Sequence, residues 1–297
     1  ELLVELGVDI SMNGKSSDGG RENGGSEGRL LSLSARNLVS GTAPYDLVRK
    51  MRASVLVLGP LLARAGHARV SMPGGCAIGL RPVDLHVAGL RQLGAEISLR
   101  DGYIEAKAPS GLVGANIVFP TVSVGATANL MMAACLARGE TTITNAACEP
   151  EIVDLADCLG RMGANIGGAG TGRIQVVGVD QLGSAEHKVL PDRIETGTDA
   201  IAAAITGGTL DLIGTTIDLI PTVADTLRAV GVELTACENG VRVKPGGNRL
   251  SPVNIDTRPY PGFPTDMQAQ IMALMTVSTG ISTITENIFE NRFMHVS

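Results

Sequence analysis

LRAVGVEL, residues 227–234, is one of four copies of a short pattern that decides the fold. Related octets are LVELGVDI from Leu3, LRQLGAEI from Leu90 and LGRMGANI from Leu159. Their shared glycine recurs after steps of 87, 69 and 68 residues, at Gly7, Gly94, Gly163 and Gly231. Self-similarity at a nearly fixed period indicates a chain built from repeated supersecondary units.

The sequence around each octet predicts the same unit. A proline opens a helix at Pro82, Pro150 or Pro221, apolar residues follow at helical spacing, and glycine ends the helix. Two short strands come next, joined by a turn such as Asp101-Gly102. A Gly/Thr-rich stretch then opens a second helix, and a Thr-rich strand closes the unit. We therefore expect an α/β fold of repeated βαβαββ units, each about 68 residues long.

Composition limits the class of protein. The 297 residues suggest two domains, and 44% hydrophobic with 18% charged residues is typical of a globular α/β protein. A net charge of −6 argues against binding nucleic acid or a membrane surface through bulk charge. Five cysteines without a CxxC pair, and only four histidines, indicate neither a disulfide framework nor a metal site. We predict a cytoplasmic protein without a membrane-spanning segment.

The first repeat step is about 18 residues longer than the others, and residues 13–28 (NGKSSDGGRENGGSEG) account for the excess. This polar Gly/Ser-rich tract cannot build a core. It is either an insertion that enlarges a hairpin tip or a linker between domains, and the repeat spacing favours the insertion.

Several helix starts carry the residues that would bind an anion. Helix N-termini present unpaired N–H groups and a partial positive charge. The predicted starts are Ser123-Val124-Gly125, Thr196-Gly197-Thr198 and Thr265-Asp266, and the loop of residues 73–82 leads into a fourth. If they share one cleft, the expected ligand is anionic, such as a phosphate ester. A thiol at Cys76, near Arg81 and a helix start, would have a lowered pKa.

Each of these residues also has a purely structural interpretation. Cys76 can be a structural thiol, Asp266 a helix cap, and His86 a polar residue satisfied by its neighbours. Asp192, Arg193 and Glu195 can form a surface ion pair of little value. The cluster Arg49, Lys50 and Arg52 can be a solvated face.

Seven motifs in order carry a resemblance: APYDLVRKMRAS, PGGCAIGLRPVDLH, VSVGAT, EPEIVD, LPDRIETGT, FPTDMQAQ and ENRFMHV. Together they resemble the UDP-N-acetylglucosamine 1-carboxyvinyltransferase (enolpyruvyl transferase) family. The resemblance implies two inside-out α/β barrel domains with the active site between them. It implies a catalytic-cysteine domain over residues 1–190, carrying the 13–28 insertion, and an incomplete second domain over residues 191–297.

The resemblance implies that the protein catalyses the first committed step of bacterial peptidoglycan synthesis. Through that step it would contribute to cell shape and cell division. The sugar 3-hydroxyl adds to C2 of phosphoenolpyruvate, C3 is protonated and phosphate leaves. Phosphoenolpyruvate is a cosubstrate, and no metal or other cofactor is implied. Cys76 matches the general acid that protonates C3, forms an adduct with phosphoenolpyruvate and is the target of fosfomycin. Asp266 matches the base or orienting group at the sugar hydroxyl.

The resemblance also implies a substrate-binding set. Arg52 and Arg81 would offset phosphate and carboxylate charge. The remaining members match segments that hold UDP-N-acetylglucosamine: Pro82, Val83, Asp84, Leu85, Thr121, Val122, Ser123, Val124, Gly125 and Ile288. Secondary candidates are Glu149, Asp192, Arg193 and Arg292. The resemblance leaves the oligomeric state undetermined.

The sequence departs from the family pattern in three places, and these departures bear on whether the chain is catalytically active. The family's Lys-Asn pair near the N-terminus and its last repeat, with arginines that close on phosphoenolpyruvate, have no counterpart, and Thr121 stands where many members have lysine. We therefore expect a fragment that keeps much of the sugar-nucleotide site but has weak turnover or none. The alternatives are a non-catalytic sugar-nucleotide-binding paralogue and the shikimate-pathway enolpyruvyl transferase, although the latter does not use this cysteine loop.

Overall fold

A computed structural model describes residues 1–13, 30–72, 83–247 and 249–296. The chain forms consecutive copies of the predicted repeat. The first copy contributes only its second half: α1 (Leu2–Glu5), β1 (Asp9–Asn13) and β2 (Leu30–Ser34). β1 and β2 pair antiparallel, with Asn13 opposite Leu30, so residues 14–29 join the two strands of a hairpin.

Two complete units follow. One contains β3 (Thr42–Ala43), α2 (Tyr45–Val48), α3 (Leu58–Ala65), β4 (His67–Ser71), α4 (Asp84–Gln92), β5 (Glu96–Arg100) and β6 (Tyr103–Lys107). The other contains β7 (Asn116–Val118), α5 (Val124–Ala134), β8 (Glu140–Thr144), α6 (Pro150–Arg161), β9 (Asn165–Gly167) and β10 (Arg173–Val177).

The later units are partial. One contains α7 (Arg193–Thr206), β11 (Leu210–Ile213), α8 (Pro221–Val230), β12 (Val232–Cys237) and β13 (Gly240–Pro245). The last contains β14 (Ile255–Asp256), α9 (Gln268–Met275) and β15 (Ile284–Thr285). Four short 3₁₀ turns complete the described chain: Arg52–Val57, Ile217–Leu219, Thr265–Met267 and Met294–Val296.

Equivalent strands pair in the same way wherever a unit contains both of them. The sheet orders are β3-β4-β6-β5, β7-β8-β10-β9 and β11-β13-β12. The first two strands of a unit run parallel, as in β3 with β4, β7 with β8 and β14 with β15, and the hairpin joins antiparallel. This repetition confirms the predicted α/β fold of βαβαββ units.

The repeat glycine ends α4, α6 and α8 because it adopts a left-handed backbone. Gly94, Gly163 and Gly231 have φ angles of 90°, 100° and 103°, which a side chain would strain. The predicted turn at Asp101-Gly102 also has two positive φ angles, as a tight hairpin between β5 and β6 requires. Pro150 and Pro221 open α6 and α8 as predicted.

The core is formed by α5 together with the inner faces of the other helices and of the sheets. Every residue of α5 from Ala126 to Met131 is buried. Alternate residues of the hairpin strands, such as Ile174 and Val176 of β10, turn inward. Buried apolar side chains form two clusters, one from Leu2 to Val176 and the other from Ala200 to Met275. Residues 178–192 join the two clusters without a helix or strand, and the predicted boundary between residues 190 and 191 falls in this segment.

Candidate substrate-binding site

Part of the predicted site lies outside the described residues. Cys76, Arg81 and Pro82 fall within residues 73–82, so their roles stay predictions. The described chain resumes at Val83, directly before α4. Asp84 and Leu85 then form the first turn of that helix.

α4 and α5 lie side by side with their N-terminal ends together. A Cβ atom added to Gly125, near the start of α5, would lie 3.4 Å from the His86 ring of α4. One turn further along, Gly89 packs directly against Leu130. Two adjacent helix starts concentrate unpaired N–H groups and partial positive charge, which suits a phosphate ligand.

The start of α5 is the segment that the sequence predicted. Ser123 caps the helix by accepting a hydrogen bond from the Ala126 N–H at 3.2 Å. Thr121 and Val124 are exposed, while Val122, Ser123 and Gly125 are half-buried. The segment is therefore accessible from solvent at each of its five residues.

A buried network behind these helix starts fixes their positions. The Asn129 amide oxygen accepts from the Gly59 N–H at 2.8 Å, and its nitrogen donates to the Val55 carbonyl at 3.3 Å. The same nitrogen lies 2.9 Å from His86 Nδ1, so Nδ1 accepts and the ring is neutral with its proton on Nε2. Burial and then the charge of Arg52 lower the pKa of His86 to about 4. The interpretation of His86 as a satisfied polar residue is the one this network supports.

Glu149 stands at the start of α6, beside the same helix ends. The Ala147 N–H donates to Thr127 of α5 at 3.0 Å, which holds the approach to α6 against α5. Glu149 is 6% exposed, and its Oε2 has no hydrogen-bond partner among the described residues. Burial and then the charge of Glu149 raise the pKa of the Cys148 thiol, so Cys148 stays protonated at neutral pH.

The predicted helix start at Thr196-Gly197-Thr198 is wrong, because α7 begins three residues earlier. Asp192 is the cap: its Oδ1 accepts from the N–H groups of Ile194 and Glu195 at 2.8 and 3.1 Å. Since a side-chain cap satisfies orphan donors at the first turn, Asp192 fixes the helix start there. Thr196 to Thr198 therefore lie within the helix.

Arg193 does not pair with its neighbours in sequence either. Its Nε donates to both carboxylate oxygens of Glu151 on α6, at 2.9 and 3.1 Å. Only 13% of the Arg193 side chain is exposed. This ion pair connects the start of α7 in the second cluster to α6 in the first.

Asp266 lies in the 3₁₀ turn Thr265–Met267 before α9. Its side chain makes no capping hydrogen bond, so the interpretation as a helix cap is wrong. Instead, Arg292 Nη2 donates to Asp266 Oδ1 at 2.9 Å, and 52% of the Asp266 side chain remains exposed. Met267 is fully buried against Gly197 of α7, which anchors the turn. The result is an accessible carboxylate on a fixed backbone.

The structure thus places the described candidates in two groups. Arg52, Val83 to Leu85, Thr121 to Gly125 and Glu149 gather around the starts of α4, α5 and α6. Asp266 lies in the turn before α9, and Ile288 and Arg292 lie in the loop after β15, which contacts that turn. Arg193 stands between them, because it binds Glu151 and also lines a small cavity with Pro264 and Met267 beside Asp266.

A larger cavity, of about 700 Å³, lies at the turn between β12 and β13. Thr215, Asp218, Arg228 and Glu238 line it, and none of the predicted site residues does. Since Arg228 is already paired with Asp225, the cavity offers an anionic ligand no concentration of positive charge.

Sequence reasoning missed Asn129 and Glu286, although one of them left a signal. Asn129 is a lone polar residue in the apolar run ATANLMMAA, a pattern typical of a buried hydrogen-bonding group. Glu286, which binds the segments on both sides of Asp266 and Ile288, left none, because its partners are 21 residues away or in the backbone.

The described residues contain neither a metal-ligand cluster nor a membrane-spanning helix. Within residues 1–13, 30–72, 83–247 and 249–296, no group of three or more His, Cys, Asp or Glu side chains could hold a metal ion. No helix in this part of the chain is long and apolar enough to cross a membrane.

Comparisons with known proteins agree on one kind of protein. The family profile described as EPSP synthase (3-phosphoshikimate 1-carboxyvinyltransferase) matches residues 31–297. A UDP-N-acetylglucosamine 1-carboxyvinyltransferase of Rhodospirillum centenum is 60% identical over 99% of this chain and 68% of its own length. The enzyme of that name from Paramagnetospirillum magneticum is 57% identical over 99% and 67%. The chain thus spans about two thirds of the length of these relatives.

Solved structures share the fold. The enolpyruvyl transferase NikO from Streptomyces tendae superposes with a TM-score of 0.74 at 19% identity, over 96% of this chain and 65% of that one. An EPSP synthase from Acinetobacter baumannii gives a TM-score of 0.62 at 19% identity, over 95% and 63%.

Proposed function

Since the chain belongs to the UDP-N-acetylglucosamine 1-carboxyvinyltransferase family, we propose that it carries the sugar-nucleotide site of an enzyme of that activity. The reaction transfers the enolpyruvyl group of phosphoenolpyruvate to the 3-hydroxyl of UDP-N-acetylglucosamine. It belongs to the start of peptidoglycan synthesis, and through it to cell shape and division.

The chemistry is an addition followed by an elimination. The sugar 3-hydroxyl loses its proton, and its oxygen forms a bond to C2 of phosphoenolpyruvate while C3 gains a proton. C3 then loses a proton, the bond from C2 to the phosphate oxygen breaks, and phosphate leaves. The protein must therefore supply a base at the sugar hydroxyl, an acid at C3 and positive charge near the phosphates.

The proposal rests on the accessible carboxylate of Asp266. Its carboxylate is half-exposed, accepts a hydrogen bond from Arg292 at Oδ1 and does not cap α9. A carboxylate in this state can accept the proton of a sugar hydroxyl or orient that hydroxyl. Arg292 holds it in place, and Ile288 of the same loop would contact the nucleotide sugar.

The first group of candidates would hold the diphosphate end. The paired starts of α4 and α5 offer N–H donors, and Arg52 adds a cation close to His86. Arg81 and Pro82, at the entrance to α4, would complete this subsite.

Cys76 is the proposed general acid at C3, and the proposed site of a covalent adduct with phosphoenolpyruvate or fosfomycin. Two other thiols differ from it in a testable way. Burial raises the pKa of Cys135 to about 11, and burial with Glu149 raises that of Cys148. Fosfomycin should label Cys76 first, and equal labelling of all five cysteines would contradict its role.

No metal or cofactor is part of the proposal, because every group it needs is a side chain or a helix start. A cytoplasmic location is likewise a proposal, from the cysteine usage. The main competing functions are a shikimate-pathway transferase and a sugar-nucleotide-binding protein without turnover. Relatives at 57–60% identity favour the UDP-N-acetylglucosamine enzyme over the former.

Calorimetric titration with UDP-N-acetylglucosamine tests the site. We expect saturable binding that weakens about 10- to 100-fold in Asp266→Asn, since a hydrogen bond to a charged group is worth about 1.5–3 kcal/mol. Asp256→Asn is the matched control, because Asp256 is an exposed carboxylate on β14 that pairs only loosely with Arg258, at 3.7 Å. A folded chain that does not bind this ligand would refute the proposed function.

Phosphate release with both substrates then separates the enzyme from the binding protein. Release that depends on UDP-N-acetylglucosamine supports turnover by this chain. Binding without release favours the non-catalytic alternative, and binding of shikimate 3-phosphate instead would favour the shikimate-pathway enzyme.

A further inference from the structure

Glu286 connects the two chain segments that carry Asp266 and Ile288. It lies at the end of β15 and is half-buried. Its Oε1 accepts from the N–H groups of Ile288 and Phe289, at 2.8 and 3.0 Å. The Thr265 hydroxyl donates to the same carboxylate, 3.0 Å from each oxygen. One carboxylate thus binds the loop after β15 and the turn before α9.

The next residue fixes the base of the same loop from the other side. Asn287 donates from its backbone N–H to Thr257 Oγ1 at 2.9 Å, and from its side chain to the Thr257 carbonyl at 3.2 Å. Thr257 is fully buried, and its own N–H donates to the Thr285 carbonyl at 2.9 Å. The backbone on which Glu286 stands is therefore anchored to the sheet of β14 and β15.

These contacts close a ring of interactions around the candidate carboxylate. Glu286 binds Thr265, Thr265 precedes Asp266, and Asp266 binds Arg292. Arg292 and Glu286 lie on the same loop, which also contains Ile288, so the chain itself completes the ring. Two links, at Thr265 and at Asp266, hold the turn and the loop together, so displacement at one link strains the other.

We propose that Glu286 is a positioning residue for the sugar end of the substrate, which it serves by holding Asp266 and Ile288 in register. This inference rests on the proposed function. The Glu286 carboxylate accepts its hydrogen bonds from Thr265 and the loop backbone, so it acts on the substrate through its neighbours. Its loss should therefore weaken contacts to the sugar more than contacts to the uridine diphosphate.

The conservative variant separates positioning from charge. In Glu286→Gln the amide oxygen can still accept from Ile288 and Phe289, and the nitrogen can donate to Thr265 Oγ1. In Glu286→Ala all of these bonds are lost. Thr265→Val removes only the link to the turn and keeps the loop backbone intact, which provides a milder variant if Glu286→Ala does not fold. Asp256→Ala is the control, as an exposed carboxylate on the neighbouring strand β14.

The test measures dissociation constants for UDP-N-acetylglucosamine and for UDP, together with the unfolding midpoint. We expect Glu286→Ala to weaken UDP-N-acetylglucosamine binding at least about tenfold and UDP binding less than about threefold. Glu286→Gln should bind UDP-N-acetylglucosamine with a dissociation constant within about threefold of the wild-type value. Thr265→Val should show a smaller loss with the same preference for the sugar.

Two results would overturn the inference. In one, Glu286→Ala and Thr265→Val bind both ligands as wild type does. In the other, both ligands weaken equally as the unfolding midpoint falls, and glutamine does not rescue, which is the behaviour of a residue that only stabilises the fold. A wild-type chain that binds neither ligand overturns the proposed function first, so the two failures are distinct.

Discussion

At the scale of single residues, His86 is a buried titratable group whose charged form the fold opposes. Its pKa in the folded chain is about 4, against about 6.5 when exposed, because of burial and the nearby charge of Arg52. The unfolded chain therefore binds the proton more readily. The stability that His86 contributes is present above pH 6.5 and is lost as the pH falls towards 4.

The loss should reach about 3 kcal/mol at pH 4, measured as the free energy of unfolding in urea. Carboxylates titrate in the same range, so the informative quantity is the difference from His86→Asn. The asparagine oxygen can replace Nδ1 as the acceptor for Asn129 and cannot be protonated. Parallel pH curves for the two proteins would show that His86 does not resist protonation in the folded state.

At the scale of elements, close contact between α3 and α5 fixes how these two helices pack against each other in the first apolar cluster. Gly59 of α3 lies so near α5 that an added Cβ would stand 2.5 Å from the Asn129 carbonyl oxygen. Gly160 of α6 offers the contrast, since nothing lies within 4 Å of its added Cβ. Both glycines lie within helices, so alanine raises helix propensity at each.

We expect Gly59→Ala to reduce the free energy of unfolding by about 2 kcal/mol, because overpacking outweighs the gain in propensity. Gly160→Ala should be neutral or stabilising, by up to about 1 kcal/mol. Urea unfolding of both variants measures the difference. Equal effects would mean that α3 and α5 separate at no cost, and that Asn129 does not hold them.

At the scale of the whole molecule, one face of α6 holds the segment that joins the two core clusters. Asp154 Oδ1 pairs with His187 at 3.0 Å and accepts from the Leu190 N–H at 3.3 Å. One turn earlier, Glu151 binds Arg193. The connection is therefore attached to the first cluster immediately before the second begins.

Asp154→Ala should release this segment, and Lys188 within it is exposed to trypsin. We expect cleavage after Lys188 to accelerate several-fold. Mass spectrometry of the products over time measures the rate. Asp157→Ala, an exposed carboxylate on the same helix, should leave the rate unchanged. Cleavage of Asp154→Ala at the wild-type rate would show that other contacts hold the segment.

Local signals in the sequence were sufficient to predict the repeat, and long-range partners were not. Gly94, Gly163 and Gly231 mark helix ends because only glycine adopts their φ angles without strain, and that requirement is visible in one sequence. The predicted start of α7 is wrong because Thr196 and Asp192 are both residue types that cap helices, and sequence alone does not choose between them. The pairing of Arg193 with Glu151 spans 42 residues, which no periodicity can predict. At the candidate site the residue types were found, but not what holds them.

The hairpin of β1 and β2 has a consequence for how this chain tolerates change in length. Asn13 and Leu30 are paired neighbours, so the sheet already fixes both ends of the connection between the two strands. Closure entropy rises only with the logarithm of loop length, by about 0.6 kcal/mol for each doubling. A further peptide added between these strands should therefore cost the fold little, which makes this hairpin a suitable place to graft an epitope or a fluorophore-binding sequence.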